Sequence, residues 1–271
     1  MLTRETCEQI YATAMDILEQ MRISHSLEPA CEEYFVGVAA NPTSLADVFG
    51  RFITSAQNAV YRSTTIKLEG KEGNGDKIRS VIGDYRKPTF DLMRVACMDE
   101  GDLYAQLSER CGFEPTGSPR SVWRIWSCSV IDSARFLSTF SGLEDFQGFV
   151  ASFQYNAATK AALPLYLAQK IRGMGFALSC DALKELGYVG YPKPDVHMKG
   201  ILSGLGFCGE DDMEVFETLV GMADTLGITP YRLDKVLWLV SSGNFYLEDV
   251  QVQGRKQELI AAVHDALAAR R

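Results

Sequence analysis

Two residue patterns between positions 171 and 195 combine a turn suited to phosphate binding with a single positioned carboxylate. The segment I-R-G-M-G at 171–175 places Gly173 and Gly175 where a chain joining two helices must turn or approach a ligand closely. Backbone N–H groups at such a turn can bind a phosphate oxygen, and Lys170 or Arg172 would add positive charge. Twenty-two residues after Gly173, Pro194-Asp195 opens another predicted helix. The spacing predicts a phosphate-binding hairpin followed by an acid at a helix N-terminus.

Asp195 is the candidate catalytic residue. Hydrolysis of an N-glycosidic bond passes through an oxocarbenium-like sugar, and one carboxylate can stabilise that cation and orient or deprotonate water. A structural interpretation competes, because aspartate is a preferred N-cap and D-V-H-M-K-G-I-L is typical of a helix start. The two interpretations are compatible, since the N-cap position fixes the side chain and favours its ionised form.

The hairpin and the acid together resemble the helix-hairpin-helix DNA glycosylases. In that superfamily the hairpin reads like L-P-G-V-G and the aspartate lies in a segment like V-D-x-H, and the matching segments here are I-R-G-M-G and P-D-V-H. Upstream, S-A-Q-N at 55–58 resembles the S-A-Q helix end of endonuclease-III-like members. The resemblance is good over residues 160–205, weak over 45–60, and elsewhere limited to helical context.

The resemblance implies a DNA glycosylase that flips a modified or damaged base out of double-stranded DNA and hydrolyses its glycosidic bond. Ala177, a departure from the superfamily described below, makes the expected enzyme monofunctional, with an abasic site as its product. Asp195 would be catalytic, His197 would approach a DNA phosphate, and Gln57 would fill the gap left by the extruded base. The excised base stays open: an oxidised or alkylated purine, a mismatched base, or a hypermodified cytosine such as glucosylated hydroxymethylcytosine in phage DNA. A repair role and an anti-phage role are therefore both open.

A base pocket is expected partly in the long interval between Gln57 and the hairpin. There, S-V-W-R-I-W carries Trp123 and Trp126, which could stack on an extruded base. Aromatic residues three apart are also typical of a helix core, and this alternative stays open. The other candidate pocket residues are Asn58, Phe176 and Lys193.

Two departures from the superfamily change the expected chemistry. Bifunctional members carry a lysine two residues past the hairpin, where this chain has Ala177, so water is the expected nucleophile. Lys170 and Lys193 remain as displaced alternatives. Some relatives hold an iron–sulfur cluster with clustered C-terminal cysteines, but the last cysteine here is Cys208, and no cofactor is expected.

Helical periodicity predicts an all-α, or mostly α, fold with no strand pattern. Apolar residues recur at three- and four-residue spacing over 10–21 and 45–60, Thr229-Pro230 is typical of a helix start, and an alanine-rich helix begins near Lys256. We expect one glycosylase-like unit over 1–271, with the active site in the cleft between subdomains 45–155 and 156–205. Segments 1–44 and 206–271 would pack as helical flanks.

Composition is that of an ordinary globular protein, with 46% hydrophobic and 23% charged residues in 271. The N-terminus does not resemble a signal peptide, no apolar run reaches the roughly 18 residues of a membrane span, and the seven cysteines are scattered. These features favour a cytoplasmic monomer with reduced thiols. The net charge of −8 disfavours DNA binding, but basic residues bracket the hairpin and the acid: Lys160, Lys170, Arg172, Lys184, Lys193 and Lys199.

Two other function classes are weighed against this one. A DNA-binding or scaffold protein could keep the hairpin and use Asp195 only as a cap. A small-molecule enzyme using Cys128 or Cys180 ranks last, because neither thiol has a histidine at useful spacing.

Overall fold

The computed structural model describes residues 3–27, 34–35, 41–58, 62–69 and 72–269. Within these ranges the chain forms fourteen helices and one two-stranded sheet, which confirms the mostly α fold class. No helix in the described part is long and apolar enough to cross a membrane.

The chain forms two compact units. The middle unit is the continuous segment Ala40–Ala182, and the terminal unit combines Met1–Ala39 with Leu183–Arg271. This division differs from the predicted boundaries, since the flanking segments join the Asp195 region in one unit and the break falls near 182 rather than near 155. Two termini can form one unit because long-range packing of apolar helix faces, rather than sequence order, defines a core.

The described residues of the middle unit form eight complete helices and most of a ninth. They are α2 (Leu45–Gln57), α3 (Arg62–Ile66), α4 (Gly75–Ile82), α5 (Leu92–Ala96), α6 (Glu100–Cys111), α7 (Val122–Leu137), α8 (Leu143–Ala151), α9 (Ala157–Lys170) and α10 (Phe176–Glu185), the last of which continues into the terminal unit. α7 is central, since it packs against α2, α3, α5, α6 and α9. Trp126 of α7 is fully buried, and its indole N–H donates to the Ile53 carbonyl at 3.0 Å. This hydrogen bond links α7 to α2.

In the part of the terminal unit that the structure describes, there are five further helices and the sheet. They are α1 (Arg4–Ser24), α11 (Val196–Gly204), α12 (Asp212–Leu226), α13 (Pro230–Ser242), β1 (Asn244–Phe245), β2 (Val250–Gln251) and α14 (Lys256–Ala268). The apolar stripe predicted for the first helix is buried at Ile10, Ala14 and Leu18, and α1 packs against α12, α13 and α14. As predicted, α13 starts with Thr229 as N-cap, whose side chain accepts from the Arg232 amide, and Pro230 in the first turn.

The sheet is a short β-hairpin that periodicity did not predict. β1 and β2 pair antiparallel, with Asn244 opposite Gln251 and Phe245 opposite Val250. Asp249, in the connecting tip, has a φ of 54°, a left-handed conformation in which aspartate is enriched. Strands of two residues are too short to show alternation, so the sequence pattern carried no signal for them.

Candidate functional site

The predicted turn between two helices lies in the middle unit. α9 ends at Lys170 and α10 begins at Phe176, and buried Ile171 and Met174 anchor the turn between them. Gly173 has a φ of 78°, which a residue with a Cβ adopts only with strain. The tight turn predicted from I-R-G-M-G is therefore confirmed.

Gly175 lies exposed at the start of α10. Its carbonyl accepts from the Ser179 amide at 2.9 Å, which is the first hydrogen bond of the helix. A Cβ on Gly175 would meet no heavy atom within 4 Å, so the surface at this residue is open. The first N–H groups of a helix have no partner within it, and an open helix start is a favourable position for an anion.

Hydrogen bonds of Arg172 fix the hairpin to α7. Its Nε and Nη2 donate to the two carboxylate oxygens of Asp132 at 2.7 and 2.8 Å, its backbone N–H donates to Asp132 at 3.1 Å, and Nη1 donates to Glu100 at 3.0 Å. Ser129 on α7 donates to the Arg172 carbonyl at 2.6 Å. The hydrogen bonds to Asp132 and Glu100 raise the pKa of the guanidinium. Two carboxylates already compensate the charge of Arg172, and its contact to DNA stays a prediction.

Asp195, in the terminal unit, is the N-cap of α11. Its Oδ1 accepts from the amides of His197 at 2.9 Å and Met198 at 3.3 Å, and its side chain is partly exposed. The structural interpretation of Asp195 is therefore confirmed. The same two bonds fix the carboxylate in one orientation, which is also what a catalytic role requires.

A buried ion pair anchors the segment that leads to Asp195. Lys184 and Asp234 form an ion pair of 2.6 Å between side chains that are 6% and 2% exposed. Asp234, on α13, also accepts from the Lys193 amide at 3.1 Å, and the Lys193 carbonyl accepts from the Asp195 amide at 2.8 Å. Asp234 thus fixes the backbone immediately before the candidate acid. Sequence analysis missed this residue, although an Asp-Lys pair within the apolar helix segment 233–240 was a usable signal.

His197 lies close to Asp195, and part of its ring already makes contacts within the terminal unit. Its Nδ1 shares a 2.8 Å hydrogen bond with the Ser241 hydroxyl, and its ring meets the Trp238 ring edge to face at 6.4 Å. A contact to a DNA phosphate, which stays a prediction, would use Nε2.

Gln57 ends α2, as the S-A-Q comparison predicted, but it is buried at 6% exposure. Its Oε1 accepts from the Leu68 amide at 3.0 Å. Insertion into DNA would require this bond to break, so a wedge role is a prediction that the present conformation does not favour. Asn58 is exposed and donates to Asp181 at 3.3 Å.

Three of the candidate pocket residues belong to the core. Trp126 is fully buried, while Trp123 and Phe176 are each 6% exposed. Trp123 stacks on Phe113 with the ring centroids 4.4 Å apart. The helix-core alternative is thus correct for the tryptophans in this conformation, because their ring faces are already covered by protein. The fifth candidate, Lys193, is partly exposed.

The basic residues around the hairpin and the acid give less positive surface than the sequence suggested. Lys184 pairs with Asp234, Arg172 with Asp132 and Glu100, and Lys199 with Asp212 at 2.5 Å. Lys170 is exposed at the end of α9, with its ammonium 5.3 Å from the Tyr166 ring centroid.

Cys128 and Cys180, the thiols considered for a small-molecule enzyme, are poorly suited to nucleophilic chemistry. Cys180 is fully buried. Cys128 donates to Glu100 at 3.6 Å, and burial raises the pKa of its thiol. A raised pKa keeps the group in the unreactive thiol form at neutral pH.

Comparisons with protein-family models, with curated proteins and with solved structures found no match. The functional proposal therefore depends on the residues of this chain.

Proposed function

We propose that the chain is a monofunctional DNA glycosylase of the helix-hairpin-helix type, acting in the cytoplasm as a monomer on double-stranded DNA that contains a modified or damaged base. The observation that carries the proposal is the carboxylate of Asp195, held by two amide hydrogen bonds to Oδ1 at the N-terminus of α11. The Gly173–Gly175 hairpin supports it as the DNA-binding element. The proposal includes the specific fold of that superfamily, the helix-hairpin-helix glycosylase fold.

The proposed reaction replaces the bond between C1′ and the base nitrogen with a bond from C1′ to a water oxygen. Electrons of the breaking bond leave with the base, and the sugar becomes cationic in the transition state. Asp195 stabilises that cation and accepts the proton of the attacking water, which then passes to the departing base. The products are the released base and an intact strand with an abasic site.

The hairpin should contribute affinity rather than chemistry. We expect Gly175→Leu to fold normally, because the Cβ enters open space, but to bind duplex DNA about 10- to 100-fold more weakly, as expected for one lost charge-assisted hydrogen bond. Fluorescence anisotropy with a labelled duplex measures this. The matched control is Gly142→Leu, at the N-cap of α8, where a Cβ also meets nothing within 4 Å. If Gly175→Leu and Gly142→Leu bound duplex DNA with equal affinity, the hairpin would not be part of the DNA interface.

The type of product is a separate prediction. With Ala177 in place of the lysine of bifunctional enzymes, borohydride should trap no covalent protein–DNA adduct, because it captures only an imine. The strand should break only after alkali or heat. Efficient trapping would contradict monofunctional chemistry, and peptide mapping would then distinguish Lys170 from Lys193.

A second candidate is a DNA-binding protein without catalysis. It is favoured by the complete capping role of Asp195 and by the internal pairing of Arg172. Base release that depends on the Asp195 carboxylate excludes it, whereas DNA binding without base release supports it.

A further inference from the structure

Three rings in the terminal unit form a continuous row that starts beside Asp195. The His197 ring lies 6.4 Å from the Trp238 ring, and the Trp238 ring lies 6.1 Å from the Tyr246 ring. The interplanar angles are 77° and 60°, so neither pair is stacked face to face. We call His197, Trp238 and Tyr246 the aromatic row. His197 itself donates its amide to Asp195, so the row and the candidate acid share one helix start.

The outer end of the aromatic row faces solvent. Tyr246 is 41% exposed and the adjacent Leu247 is 48% exposed, at the tip between β1 and β2. Exposed aromatic and aliphatic side chains next to one another are the kind of group that enters a base stack or covers an unstacked base.

Hydrogen bonds and an ion pair fix the tip to other parts of the terminal unit. The Tyr34 hydroxyl accepts from the Leu247 amide at 3.0 Å and donates to the Glu248 carboxylate, and the fully buried Arg22 donates to Glu248 at 2.9 Å. The Tyr34 ring meets the Tyr246 ring edge to face at 5.0 Å. A ring fixed in this way loses little side-chain entropy when a ligand stacks on it. Arg22 also compensates the carboxylate of Glu248, the acid next to Leu247.

Lys235 places a cation against the same rings. Its ammonium lies 4.9 Å from the Tyr246 ring centroid and 5.8 Å from that of Trp238, and it pairs with Glu185 at 3.5 Å. Lys235 is only 8% exposed and is paired, so it stabilises these rings from the protein side and is not a phosphate ligand.

We propose that Tyr246 and Trp238 form the stacking surface for an unpaired nucleobase of the bound DNA, with Tyr246 as the principal contact. The inference rests on the proposed function and names the residues that receive the base, in place of the buried Trp123 and Trp126. Unpaired bases expose a flat π-face, and Tyr246 offers an exposed ring on the row that leads to Asp195. The recognition is of base shape and not of one base identity.

The test compares a duplex carrying one central mismatch, whose base is easily extruded, with a fully paired duplex of the same length. We expect Tyr246→Ala to weaken binding of the mismatched duplex by roughly 5- to 100-fold and binding of the paired duplex by less than about twofold. Tyr246→Phe should retain wild-type affinity, since the ring is preserved. Tyr155→Ala is the control, because Tyr155 is also exposed, at 86%, and lies in the middle unit.

Tryptophan emission supplies an independent readout. Stacking should quench Trp238 on addition of the mismatched duplex, and Trp238→Phe should abolish that quenching, while Trp123 and Trp126 contribute a constant background from the buried core. Unchanged emission at saturating mismatched DNA, or equal weakening of both duplexes by Tyr246→Ala, would overturn the inference. If base release still depended on Asp195, the proposed function would stand. Failure of the wild-type protein to bind either duplex would overturn both.

Discussion

Asp195→Asn is expected to lower the rate of base excision by at least about 100-fold while changing DNA affinity little. Asparagine keeps a side-chain oxygen for the amides of His197 and Met198, so the cap and the fold are preserved. The substitution removes only the negative charge that would stabilise the sugar cation. Single-turnover excision kinetics and anisotropy, measured on the same preparations, separate the two effects.

A matched control removes a charge from another cap. Asp211 is the N-cap of α12 in the same unit and accepts from the amides of Met213 at 2.9 Å and Glu214 at 3.1 Å. Asp211→Asn should therefore keep wild-type excision. If both variants retain activity, Asp195 is only a cap; if both lose it equally, the loss comes from the helix start and not from the acid.

Asp234→Ala is expected to produce the largest loss of stability, lowering the free energy of unfolding by about 3–5 kcal/mol. The substitution removes the buried carboxylate that pairs with the Lys184 ammonium, and it removes the acceptor of the Lys193 amide. Urea denaturation followed by circular dichroism measures the change.

The control for this variant is a solvent-exposed ion pair. Arg4 and Glu8 are 75% and 52% exposed, and Glu8→Ala should leave the denaturation midpoint unchanged. The double variant Lys184→Met/Asp234→Leu should recover much of the lost stability, because it removes both charges of the buried pair. A loss below about 1 kcal/mol for Asp234→Ala would show that the pair contributes little to anchoring the Asp195 segment.

Local patterns in the sequence predicted the elements that depend on neighbouring residues. The apolar stripe of α1, the Thr229-Pro230 start of α13, the turn at Gly173 and the cap at Asp195 each follow from residues within one or two helical turns. These features rest on periodicity, φ preference and capping chemistry, which a short segment carries by itself.

Features set by distant residues were not predictable in the same way. The carboxylates that bind Arg172 lie 40 and 72 positions away, and the burial of Gln57 and Trp126 depends on how α2 and α7 pack. The same holds for the joining of both chain ends in the terminal unit. Tertiary packing decided between alternatives that the sequence left open, as it did for the tryptophans.

The most direct test of the central claim is the release of a free base. Purified protein is incubated with duplexes that each carry one lesion or modification, namely 8-oxoguanine, an alkylated purine, a mismatch or glucosylated hydroxymethylcytosine, and the products are resolved by mass spectrometry and after alkali treatment. The account predicts that at least one duplex yields free base and an alkali-sensitive strand with wild type, and neither with Asp195→Asn. DNA binding without release of any base from this panel would contradict the account and favour the non-catalytic alternative.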